Sequence, residues 1–113
     1  MSHTGPIDLS PMIFEVIEWG TRRLEFLPPL TLEPTRDVES GQLYRLEDQH
    51  LGIDVFAPTR EKLSDELAEQ IGFQWDSYAQ EEPEKLTPAA RRLRSVLLGR
   101  IRESHLATRA ESR

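Results

Sequence analysis

Five apolar residues, Leu63, Leu67, Ile71, Trp75 and Ala79, recur at every fourth position through a stretch otherwise rich in charge. Only a helix lays such a set along one side, so this spacing constrains the fold more than any other feature of the chain. Pro58-Thr59 supplies the start. The proline closes what precedes it, the Thr hydroxyl can accept from an unpaired first-turn amide, and Glu61 suits the positive end of the helix dipole. The spacing predicts a helix over 59–80, with Tyr78 near its end and Asp65, Glu66, Glu69 and Asp76 turned away from the stripe.

Upstream of Pro58 the period is two. Ile13 to Trp19 is rich in β-branched and aromatic residues, Gly20-Thr21 reads as a turn, and Arg22 to Leu27 resumes the alternation, which predicts a hairpin. Pro28-Pro29 is expected to end that strand, leaving Leu30 to Glu33 as a short edge strand stopped by Pro34. Residues 42–47 and 50–57 alternate again and predict a second hairpin, with Leu51, Ile53 and Val55 on one face and Gly52, Asp54 and Phe56 on the other. Before Met12, Gly5, Pro6 and Pro11 punctuate a stretch without periodicity, expected to be a flexible arm over 1–11.

Downstream, the acidic linker Glu81 to Lys85 leads to Thr87-Pro88, a cap followed by a proline at a first-turn position where its missing N–H costs nothing. Ala90, Leu93, Leu97 and Ile101 then predict a second helix over 87–105, and residues 106–113 a frayed basic tail. The expectation is a single α+β domain over 12–105: a mostly antiparallel sheet of about four or five strands at 12–57, packed against the helix at 59–80 and followed by the C-terminal helix at 87–105.

Charge is unevenly distributed. Residues 1–86 carry 7 basic against 18 acidic side chains, a balance of −11, whereas residues 87–113 carry 7 against 2, a balance of +5. An acidic body suits a basic partner and an arginine-rich helix suits an anionic one, unless the two halves pair with each other. No cysteine is present, which removes disulfides, thiolate metal sites and thiol catalysis. With neither a leader pattern nor a long apolar run, the chain is expected in the cytoplasm, away from any membrane.

Little in the chain points to catalysis. His3, His50 and His105 have no partner at metal-ligand spacing, and no nucleotide-binding glycine pattern or nucleophile elbow occurs. Carboxylates are too numerous for any one pair to single out an acid and a base, so a hydrolase is the least favoured reading. Recognition is the stronger reading. Asp54, Asp65, Glu66, Glu69 and Asp76 could steer and pair with a basic protein, while Trp75 and Tyr78 are candidate anchors, as is Trp19 beside its turn, each against the plainer alternative of core packing. Arg91, Arg92, Arg94, Arg100 and Arg102 form a second candidate surface, for nucleic acid, although no helix-turn-helix pattern or interleaved aromatic accompanies them. No cofactor or metal is expected.

The run from Tyr44 to Leu63, YRLEDQHLGIDVFAPTREKL, resembles the core of HicB-type antitoxins, in which a hairpin carrying Asp and Gly leads through a strand into a Thr-initiated helix. Asp48, Gly52, Thr59 and Glu61 stand at the comparable positions, and the resemblance extends loosely over residues 42–80. It departs from the family in lacking a proline near the Asp and Gly, and in having Ala57-Pro58 where a glycine precedes the helical Thr. The resemblance implies a non-catalytic neutraliser whose partner is a small basic RNA-cleaving protein of the HicA toxin type. The alternative is a nucleic-acid-associated transcriptional regulator that binds through its C-terminal helix and self-associates as a homo-oligomer through its acidic body.

Overall fold

Met12–Trp19 (β1) and Arg22–Leu32 (β2) form an antiparallel hairpin in the computed structural model of the chain, which describes residues 8–37, 39 and 43–105. Its two-residue turn relies on Gly20, whose φ of 66° is the left-handed conformation that lets a tight turn follow the strand twist. The register shifts between Phe14 and Val16, so that Phe14 faces Leu30 but Val16 faces Glu25. This bulge explains a phase change in the sequence. Met12 and Phe14 point into the core before it and Ile17 after it, so an even-numbered apolar set becomes an odd-numbered one.

Pro28 and Pro29 therefore do not end the strand. They lie in the bulge, where the missing amide hydrogens break no ladder bond, and the chain beyond them rejoins β1 through Leu30 and Leu32. The expected separate edge strand at 30–33 is the far half of β2, and the Leu27–Pro28 peptide is cis.

Thr35–Arg36 (β3), Tyr44–Asp48 (β4) and Ile53–Ala57 (β5) make a second antiparallel sheet in the order β3-β4-β5. The β4–β5 turn is held by Asp48, whose Oδ1 accepts from the amides of His50 (2.9 Å) and Leu51 (3.3 Å). Leu51, Ile53, Val55 and Ala57 are buried, while Asp54 and Phe56 face out, as the alternation predicts.

The principal helix (α1) spans Arg60–Gln74, with Thr59 Oγ1 accepting from the Lys62 amide at 3.1 Å. Every member of the fourth-position stripe is buried. Strict spacing of four advances about 40° per step around an α-helix of 3.6 residues per turn, so the stripe would drift off the core. A π-turn over Trp75–Ala79 checks the drift: the Gln80 amide bonds back five residues to the Trp75 carbonyl (3.2 Å), and the wider turn keeps Ala79 beneath Trp75.

After a 3-10 turn at Pro83–Lys85, the second helix (α2) runs Pro88–Arg100, with Thr87 Oγ1 accepting from the Ala90 amide at 3.1 Å. The helix expected over 87–105 is here corrected. It stops at Arg100, and Ile101–His105 is a sixth strand (β6) that pairs antiparallel with Arg22–Phe26 and completes a sheet of order β1-β2-β6. The α+β class with antiparallel strands stands, but among the described residues six strands in two three-stranded sheets replace one sheet of four or five. α1 lies against β1, β4 and β5, so both sheets share one core with it.

The described part of the N-terminal segment is held in place: Arg60 Nη1 donates to the carbonyls of Asp8 (2.9 Å) and Ser10 (2.8 Å). Residues 1–7 of the expected arm, the start of the strand expected at Gln42, and the tail 106–113 lie outside the described residues.

Candidate partner-binding surface

α1 presents its buried stripe on one side and an acidic strip on the other. Asp65, Glu66 and Glu69 are all exposed, and Phe73 emerges among them at 61% exposure, off the buried stripe. Beside this strip runs the outer edge of β5, where Phe56 is 41% exposed. Asp54, Val55, Phe56, Glu66, Glu69, Gln70 and Phe73 together line a shallow groove between strand and helix. Three of the five acidic candidates, Asp54, Glu66 and Glu69, thus share one surface, with Asp65 farther round the helix.

Asp54 is engaged on the outer face of the second sheet. Arg45 holds it through two hydrogen bonds, Nε to Oδ1 (3.0 Å) and Nη2 to Oδ2 (3.2 Å). The same guanidinium lies 3.4 Å from Glu47 and 5.3 Å from the centre of the Phe56 ring. Glu47 and Asp54 are cross-strand partners, so Arg45 offsets like charges that would repel one another.

Asp76 is a fold-holding residue. Its Oδ2 accepts from the Trp19 indole N–H (2.8 Å), and its Oδ1 pairs with Arg22 (2.7 Å). The indole hydrogen bond first, and the Arg22 bridge with it, hold the Asp76 carboxyl below its ordinary value of 3.8 against a smaller opposing effect of burial. The Trp19 ring rests on α1 at Gly72, where a Cβ would overlap the ring atoms. Trp19 is therefore packing rather than a free anchor.

Trp75 requires a correction as well. It is 4% exposed, and its indole N–H donates to Glu103 on β6, so it is a core residue that cannot reach a partner. Gln80 Nε2 donates to the same carboxylate oxygen at 3.0 Å, tying the π-turn to β6. Tyr78 is half-buried against the core.

The arginine surface is largely occupied by the chain's own backbone. Arg91 Nη1 donates to the carbonyls of Pro83 (3.2 Å) and Leu86 (3.1 Å), Arg94 Nε to Glu81 (3.0 Å), and Arg100 Nη2 to Pro28 (3.1 Å). Arg92 and Arg102 are exposed, Arg92 beside His50 in a groove between α2 and the β4–β5 turn, and Arg102 across from Glu25.

The aromatic pair of the groove, Phe56 and Phe73, was not among the residues singled out. Phe73 could have been: an aromatic standing off a well-defined apolar stripe has no place in the core that the stripe defines. Among the described residues no group of three or more His, Asp or Glu side chains could hold a metal ion, and no helix is long and apolar enough to cross a membrane. Comparison of the chain with models of protein families, with curated proteins and with solved structures finds no match.

Proposed function

We propose that the chain is a non-catalytic binding protein, an antitoxin-like neutraliser of a small basic RNA-cleaving protein in the cytoplasm, and that the groove between α1 and β5 is the surface it uses. The observation that carries this reading is the emergence of two phenylalanines, Phe56 and Phe73, among exposed carboxylates. Aromatic anchors ringed by charge are what a protein interface concentrates, and a surface of this sign attracts the cationic groups with which a ribonuclease holds RNA. Glu66 and Glu69 supply the steering charge, with Asp65 adding to the field from farther round α1.

The test reads the adjacent reading frame for a small basic ribonuclease, whose absence would overturn the proposal, and then co-expresses that enzyme with the chain in cells whose growth it arrests. Wild-type chain restores growth and blocks RNA cleavage by the purified enzyme, whereas Glu66→Lys with Glu69→Lys weakens inhibition by about tenfold or more. An enzyme left fully active by the wild-type chain, or inhibited equally by the double variant, would overturn the proposal.

A further inference from the structure

Among the described residues, no strand pairs with the outer edge of β5. β5 is the last strand of its sheet, and its inner edge is used by β4. In an antiparallel pair the backbone groups of alternate residues point toward the partner and away from it. The Asp54 amide donates outward, to Gln70 Oε1 on α1 (3.0 Å), so by the same alternation the N–H and C=O of Phe56 also point outward, into the groove. One outward amide is thus covered by a side chain that another acceptor could replace, and the next pair of groups lies two residues along the same rail.

Two further features share that rail. Phe56 and Phe73 leave an apolar gap beside it, and Glu66 and Glu69 line its far wall. We propose that the β5 edge takes an extended segment of a basic partner as an added strand, pairing with the Phe56 backbone while Lys or Arg side chains reach Glu66 and Glu69. Strand addition draws affinity from main-chain hydrogen bonds and specificity from alternate side chains, and this groove offers both. Charge selects the occupant. A second copy docked edge to edge would set Asp54, Glu66 and Glu69 of each chain against those of the other, whereas a basic segment relieves that repulsion. The inference rests on the proposed function for the nature of the partner and adds the manner of docking.

The experiment uses the full chain and a fluorescein-labelled peptide of alternating Lys and Val, about as long as a strand, with binding read by anisotropy. Saturable binding is expected. It falls by at least about tenfold when the peptide is N-methylated at alternate residues in one of the two phases, because that phase removes the hydrogen bonds to the edge. It falls similarly with Glu66→Lys plus Glu69→Lys, and with Phe56→Pro, which deletes an outward N–H while β4 remains bonded through residues 53, 55 and 57. Thermal unfolding confirms that the Phe56→Pro chain is folded, and the methylated peptides test the same bonds on the unaltered protein. No binding, or binding indifferent to methylation in both phases, overturns strand addition; the acidic residues then serve only to keep strand edges apart. The growth assay separates the two proposals: rescue by the wild-type chain that is lost on charge reversal, beside peptide binding indifferent to methylation, leaves the acidic surface standing and removes the added strand.

Discussion

Gly72 and Asp76 lie one turn apart on the face of α1 and the π-turn that meets Trp19, and each has a different task there. Gly72 is required because the indole lies where a Cβ would be. Gly72→Ala should therefore destabilise the fold by about 1–3 kcal/mol despite its better helix propensity, read as a lowered midpoint in urea. Asp76 gives a pH dependence. Its folded value is lowered, so its contribution is present above the ordinary Asp range and is lost as pH falls through the folded value. Asp76→Asn should be less stable than wild type at neutral pH, and the difference should shrink toward acid, as denaturant titrations across that range would measure. A variant gap that stays constant with pH would show that folding does not hold the Asp76 carboxyl below its ordinary value.

Among the elements, α1 depends on a cap as well as on its buried stripe. Thr59→Ala should cost about 1 kcal/mol, seen as a lower urea midpoint with an unchanged slope. α1 was legible in the sequence because cap, stripe and acidic strip all agree with one period. β6 was not. Ile101 stands four residues after Leu97, so it continues the apolar spacing of α2, and Gly99, the one local stop signal, lies inside the last turn of the helix rather than beyond its end. Only pairing with Arg22–Phe26, residues far away in the chain, makes Ile101–His105 a strand. β2 misled in the opposite way: Pro28-Pro29 is a local stop signal, and a bulge that needs no amide from either residue overrides it. The acidic half of the candidate surface was legible from the helical period. The aromatic half was not, because Phe56 and Phe73 meet only when β5 and α1 lie side by side, and Trp75 belongs to the core that its own stripe announced.

At the scale of the whole molecule, charge is partitioned by use. Cations on α2 hold the linker and the proline bulge through backbone carbonyls, while the exposed carboxylates of α1 remain turned to solvent. Association with a basic partner should consequently slow as salt rises, and the double reversal at Glu66 and Glu69 should flatten that dependence, as stopped-flow association rates would show. The placement of β6 also sets an order of events. The strand pairs His105 with Arg22, and Glu103 receives the indole of Trp75, so the first hairpin made on the ribosome must wait for nearly the whole described chain before its sheet is complete. Folding is in this sense a late, concerted act: the earliest strands to emerge are among the last to be covered, and closing so long a loop falls to the final strand.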